Sequence, residues 1–253
     1  MRFSAVCLVA VIMAAFSGSV QAQLIAYEGF NGGTLNQDVA GVGSATGVGF
    51  ADLESTTTDF RFDTEPGLSY ADTSGHQLLV VGNSAGMNVS AGGTQNLQLA
   101  FTAAIPTTGT IYSSYLMQVN DVNSWGQISG LLNGSVGRAA STGSVEEAVF
   151  RATSSNWGVK GAAGIDTRTG PDSTPDATGF FFLVTEYNLD TGTMTTYVNP
   201  ADLTDVPGSA AFTISDSADS GSFAAFTHFG FGISGAAPST GYIDEVRVGN
   251  TLA

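Results

Sequence analysis

"GFFFLVTEYNL" (Gly179–Leu189) runs into "TMTTYVN" (Thr193–Asn199) through Asp190-Thr191-Gly192. Both runs are rich in the aromatic and β-branched residues that suit a pleated sheet. The link between them ends in glycine, which takes positive φ without strain. The spacing predicts an antiparallel hairpin with a short loop. Runs of the same kind recur on either side. Upstream stand "LIAYEGF" (Leu24–Phe30), "QLLVVG" (Gln77–Gly82), "NLQLAF" (Asn96–Phe101) and "TIYSSYLMQV" (Thr110–Val119). Then come "WGQISGLL" (Trp125–Leu132), "EAVFRA" (Glu147–Ala152) and "WGVKG" (Trp157–Gly161). Downstream are "FAAFTHFGFGI" (Phe223–Ile233) and "YIDEVRV" (Tyr242–Val248).

Clusters of Gly, Asp and Pro separate these runs, as turns require. Glycine makes up 33 of 253 residues, about twice its usual share. No helical period is sustained, and no fixed short repeat marks a β-helix. The expected fold is all-β: an antiparallel two-sheet jelly-roll sandwich. "TGPDSTPDATG" (Thr169–Gly179), "SDSADSGS" (Ser215–Ser222) and "GVGSATGVG" (Gly41–Gly49) read as loops.

The first 22 residues read differently. Arg2 is followed by an apolar run, Phe3 to Phe16, broken only by Ser4, and then by Val20-Gln21-Ala22. This is the pattern of a secretory signal peptide cut after Ala22. Its apolar part is shorter than the ~20 residues of a spanning helix. Residues 23–253 then form one sandwich domain, and no membrane span remains. Cys7, the only cysteine, lies in the leader. The exported chain therefore stands on its core without a disulfide. The formal net charge is −15, and Lys160 is the only lysine. Such a surface repels nucleic-acid phosphates and anionic lipid.

The terminal strands carry carboxylates where a core is expected. Side chains alternate across a strand, so Tyr242, Asp244, Val246 and Val248 share a face. Leu24, Ala26, Glu28 and Phe30 share one likewise. Glu28 and Asp244 are thus expected to point inward, on strands that a jelly roll brings side by side. A bare buried carboxylate costs several kcal/mol. Two alternatives meet that cost. One is a structural calcium ion, a hard cation suited to carboxylate and carbonyl oxygens. The other is backbone hydrogen bonding, or an ion pair with Arg61.

"GYIDEVRVG" (Gly241–Gly249) and "FFLVTEYNLDTGTMTTYVNP" (Phe181–Pro200) together resemble LamG-like, concanavalin A-like jelly rolls. "AYEGFNGGTLN" (Ala26–Asn36) and "GLSYADTSGHQLLVVG" (Gly67–Gly82) are similar to the openings of secreted bacterial proteins of this kind. Many of those carry a PEP-CTERM sorting tail. This chain stops at Thr251-Leu252-Ala253 without one, which favours free export or truncation over surface anchoring. The resemblance spans nearly all of residues 23–253. It implies two curved sheets and a binding or structural role more often than catalysis, and it transfers no catalytic residue.

Catalytic patterns are scarce. The related hydrolases place Glu-x-Asp-x-x-Glu along one strand, and that spacing is absent. Glu146-Glu147 and Asp244-Glu245 are adjacent pairs, which alternate to opposite faces. His76 and His228 are the only histidines; His76 follows Ser74-Gly75 and reads as a turn residue. No zinc or P-loop motif exists, and no Gly-x-Ser-x-Gly elbow. Asp172, Asp176, Asp216 and Asp219 read as solvated loop residues. Ligand contact would need aromatic platforms: Trp125, Trp157, Tyr115, Tyr187 and His228 are the candidates, although sandwich aromatics more often fill the core. The sequence thus points to an exported, non-enzymatic sandwich that binds extracellular polysaccharide or associates with matrix. The alternatives are a glycan hydrolase or lyase with an unfamiliar site, and a structural or adhesion component.

Overall fold

The computed structural model describes residues 23–31, 34, 37–39, 47–55, 60–78, 80, 82–89, 93–119, 124–132, 148–152, 156–161, 164–168, 179–217, 225–235 and 239–252. The leader, residues 41–46, Glu146-Glu147 and residues 169–178 lie outside them, and so does Asp219. Fifteen strands and one short helix form among the described residues.

The central pair is β6 (Thr110–Val119) against β11 (Gly179–Asn188), ten residues opposite ten. The hairpin partner β12 (Thr193–Val198) follows, with Gly192 at φ 66° in the connection. The first sheet runs β13 (Phe212–Ser217), β12, β11, β6, β15 (Ser239–Gly249), β4 (Asn83–Val89), β3 (Phe60–Pro66). The first strand, β1 (Leu24–Glu28), joins the end of β15 that β4 leaves free. The first and last strands therefore lie side by side, with Tyr27 opposite Arg247 and Glu28 opposite Val246.

The second sheet runs β10 (Gly164–Arg168), β9 (Asn156–Gly161), β8 (Ala148–Ala152), β7 (Ser124–Leu132), β14 (His228–Gly235), β5 (Gly93–Phe101), β2 (Phe50–Ser55). Every paired register is antiparallel. The protein is an antiparallel two-sheet jelly-roll sandwich. Alternation fills the space between the sheets: Ile111, Tyr115 and Met117 of β6 meet Leu131, Phe229 and Phe231 in one core. Tyr115 packs edge-on against Phe229 at 5.5 Å, and Phe60 against Phe231 at 6.2 Å. Each such side chain contributes about 1.5–3 kcal/mol through burial.

The first sheet is covered on its outer face as well. Leu116, Phe182, Val184 and Tyr197 point away from the sandwich and form a second cluster with Leu68 and Val206. Two segments supply the cover: residues 67–80, and residues 200–211 with helix α1 (Val206–Ser209). Here the structure departs from expectation. The described residues of Gln77–Gly82 form no strand. Gln77 makes one isolated bridge with Ala71, and Leu78 and Val80 lie over the outward face of the sheet. The apolar run serves burial against Phe182 instead of pairing, and Asn83–Val89 supplies the strand. Ser215–Ser217, expected as loop, closes β13 by pairing with Thr193–Thr195. β14 begins at His228, later than the run from Phe223 suggested.

Candidate ligand-binding site

β15 carries a bulge that sets the chemistry of the outer face. Asp244 lies opposite Leu116 and Arg247 opposite Ser114, so three steps on β15 match two on β6. Glu245 sits at φ 56°, a left-handed conformation rare outside glycine. One extra residue reverses the alternation. Ile243, Val246 and Val248 all reach the inner core, and Asp244 points outward toward the cover. The expectation that Asp244 shares a face with Val246 and Val248 is therefore corrected, and the bulge is the cause.

Each buried carboxylate is met by N–H groups. Asp244 Oδ2 accepts from Leu68 N–H at 2.8 Å, and Oδ1 from its neighbour Glu245 N–H at 2.8 Å. Gly67 permits this approach: a Cβ there would stand 2.9 Å from Asp244 Oδ2. Glu28 Oε1 accepts from Phe30 N–H at 2.6 Å, and Oε2 from Gly47 N–H at 3.0 Å. Such donors serve an anion and oppose a cation, so the residues do not fit calcium. Backbone N–H groups meet both carboxyl groups, and Arg61 is exposed on β3. Chelator treatment is accordingly expected to leave the melting temperature unchanged within about 2 °C, less than 1 kcal/mol for a domain of this size. A larger fall on EDTA addition, reversed by calcium, overturns this.

Glu245 is fully buried yet ion-paired: Arg247 Nη2 donates to its Oε2 at 2.6 Å, and Tyr27 O–H to its Oε1 at 3.2 Å. The Arg247 guanidinium also lies over the Tyr27 ring at 5.3 Å. Burial, then the Glu245 charge, pushes the Tyr27 phenol up. Burial raises the Asp244 carboxyl to about 8, and the Glu245 charge adds to this. The two N–H bonds and Arg247 act the other way but do not win.

A pocket of about 330 Å³ opens between the outer face of the first sheet and its cover. Its floor is Tyr112 and Ser114 of β6 with Phe182 and Val184 of β11. The cover walls it with His76, Leu78, Leu203 and Val206, and Arg247 enters from β15. Gln23 and Leu24 at the start of β1, and Leu252 beyond β15, complete the lining. Leu24 and Leu252 are two of the four exposed large hydrophobics among the described residues.

His76 is fixed by a tight polar turn. Asp72 Oδ1 accepts from Ser74 N–H at 2.9 Å and His76 N–H at 2.8 Å. Asp72 Oδ2 accepts from Leu203 N–H at 2.9 Å and faces His76 Nδ1 at 2.6 Å. This one carboxylate ties both cover segments together. Its burial opposes ionisation, but the Leu203 and His76 hydrogen bonds outweigh it and hold the carboxyl at about 2. The Asp72 hydrogen bond and charge raise the His76 imidazole above its ordinary range, with a smaller contribution from Asp202. Asp72, His76 and Asp202 place ligand atoms within 4.8 Å of one another. A carboxylate has about four acceptor positions, and four donors already occupy those of Asp72, so the cluster reads as a brace and not a metal site.

The aromatic candidates named from sequence scatter. Tyr115 and Tyr187 are inside the sandwich: the Tyr115 hydroxyl bonds Ser129 Oγ, and Leu131 N–H donates to the Tyr187 hydroxyl at 3.3 Å. They are core groups, out of reach of a ligand, because alternation turns them to the opposite sheet. His228 is half-buried at the start of β14, with Nδ1 2.7 Å from Thr227 Oγ1. It shares a face with Gly230 and Gly232, and Gly232 continues across the sheet in the row Ile128, Phe150, Gly158. Trp157 is one step off that row, on the other alternation, and Trp125 is the residue skipped by a bulge between Ser124 and Gly126. The three positions do not make one platform, and the two tryptophan side chains lie outside the described residues. Sequence reasoning missed the pocket's Tyr112, Phe182 and Arg247. The consecutive apolar residues of "FFFLV" were the available signal, since a strand reads that way when both faces are covered.

No family model matches the sequence, and no curated protein does. Solved structures match the fold. The binding domain of botulinum neurotoxin serotype D/C superimposes with TM-score 0.54 at 10% identity, covering 89% of this chain and 48% of that one. A neurotoxin DC binding domain in complex with rat synaptotagmin II gives 0.52 at 10% identity, with 89% and 47% covered. Lectin II from Ulex europaeus gives 0.46 at 12% identity, covering 79% of this chain and 98% of the lectin. The chain thus spans about half the length of the neurotoxin domains it matches. The two neurotoxin-domain likenesses agree with the fold, an antiparallel two-sheet jelly-roll sandwich. Among the described residues no helix is long and apolar enough to cross a membrane.

Proposed function

We propose that this protein is exported after loss of residues 1–22 and acts as a non-enzymatic carbohydrate-binding sandwich. The ligand site is the outer-face pocket of the first sheet. The carrying observation is its make-up: an aromatic floor of Tyr112 and Phe182 ringed by Gln77, Ser114, Thr204, Arg247 and Thr251. Apolar C–H faces of a sugar ring pack on aromatic surface, and hydroxyls need a fringe of amides and hydroxyls. The volume suits a short terminal unit of an extracellular polysaccharide. The sandwich architecture shared with toxin binding domains agrees with a recognition role, and the LamG-like, PEP-CTERM-related context is carried by sequence resemblance.

Ser114→Trp fills the pocket from its floor. On a glycan array the unmodified protein is expected to bind, Ser114→Trp to lose at least 10-fold in signal, and Trp125→Ala to retain it. The reverse pattern moves the site to the second sheet. Absence of binding to every glycan favours a structural or adhesion role, and release of reducing sugar from polysaccharide favours a hydrolase or lyase.

A further inference from the structure

Charge is distributed unevenly around this pocket. The chain has 22 acidic and seven basic residues, yet among the described residues none that lines the pocket is Asp or Glu. Two groups able to carry positive charge, Arg247 and His76, do line it. Each is paired with a buried carboxylate, Glu245 and Asp72, which does not line it. The two ion pairs therefore present their cationic members to the cavity and keep their anionic members behind. A low-dielectric wall strengthens such a field over short range. At longer range the net charge of −15 opposes polyanions, although physiological salt screens it beyond about 8 Å.

We infer that the pocket selects a carbohydrate terminus bearing a single carboxylate, a uronic acid residue, held by Arg247 and His76 over the Tyr112 and Phe182 floor. This rests on the carbohydrate reading above and names the ligand class for that site. A guanidinium suits a planar carboxylate. His76 lies half exposed at the wall, with Nδ1 taken by Asp72, so Nε2 is the ring nitrogen left to donate. Asp72 and Asp202 face the imidazole from the two cover segments and favour its cation, and Arg247 shares the cavity with it.

The test titrates the full chain by calorimetry with three probes: a disaccharide ending in glucuronate, the same disaccharide reduced to the neutral sugar, and hexanoate. The glucuronate probe is expected to bind at least 10-fold more tightly than the neutral one, and to weaken as pH rises from 6 to 9. His76→Gln is expected to remove most of the pH dependence while keeping the fold. Gln77→Ala, beside it on the wall, is expected to keep the pH dependence. Equal affinity for both sugars overturns the carboxylate inference and leaves the carbohydrate reading standing. Hexanoate binding as tightly as the glucuronate probe keeps the anion preference and overturns the carbohydrate reading. Failure of all three to bind overturns both.

Discussion

Arg247→Met is expected to destabilise the fold by about 3–5 kcal/mol, because it strands the buried Glu245. For a domain of this size that is a fall in Tm on the order of 10 °C. Glu245 has no exposure to water, and its carboxylate is held by the Arg247 guanidinium and the Tyr27 hydroxyl. Methionine fills a similar volume and removes the charge. The Tyr27 hydrogen bond carries no positive charge, so it offsets only part of the cost of a buried carboxylate whose guanidinium is gone. The double variant Glu245→Gln/Arg247→Met removes both charges and is expected to recover a large part of the loss. Urea unfolding of the two single variants, the double variant and the parent gives the coupling directly. A loss under about 1 kcal/mol for Arg247→Met, in the range of a surface pair, shows that the pair does not hold the bulge. The same fragility is why His76→Gln, and not an arginine variant, tests the ligand inference.

Much of the fold follows from pattern. The hairpin of β11 and β12 was legible from its apolar runs and the Gly192 turn, and the pairing of the first and last strands from the jelly-roll architecture expected of the chain. What pattern missed has three physical causes. β4, "NSAGMNV", alternates Ala85, Met87 and Val89 but sets them among Asn, Ser and Gly, the residues of turns, and β10, "GIDTR", has one large apolar residue. Gln77–Gly82 has the composition of a strand, but its Leu78 and Val80 serve as cover, because Leu116, Phe182 and Val184 face outward and need burial. Tertiary demand decided that segment, and local propensity did not. The bulge was the third. A glycine at its left-handed position would have flagged it, but Glu245 occupies it, and one extra residue inverted the face assigned to Asp244. Beside the pocket, Asp72 was overlooked as well. Asp-Thr-Ser-Gly-His, residues 72–76, places an acceptor before two backbone donors, the composition of a side-chain-capped turn. That composition marks the turn but not the cavity beside it, which depends on a cover drawn from two distant parts of the chain.

Asp244→Asn is expected to cost most at acid pH and progressively less as pH rises. At low pH the parent carboxyl is protonated and satisfies both N–H donors, from Leu68 and Glu245, through its oxygens. An amide offers one oxygen and turns its NH₂ toward the second donor, which leaves that buried N–H unmet at about 1–3 kcal/mol. The pH dependence comes from the parent. Burial and the Glu245 charge raise the folded carboxyl from an ordinary 3.8 to about 8. The folded state therefore holds a proton that the unfolded chain releases, and stability falls as pH rises between these values, by up to about 1.4 kcal/mol per unit. The amide variant has no such proton. The gap in unfolding free energy between variant and parent is expected to narrow by on the order of 1 kcal/mol per pH unit from about pH 5 to pH 8. Comparing the two removes the background titration of the acidic surface, which they share. A gap that stays constant over this range shows that the N–H donors and Arg247 keep Asp244 ionised. A gap that instead widens as pH rises through about 4 reverses the balance: the bulge would then be an anion site, tightened by the charge it buries.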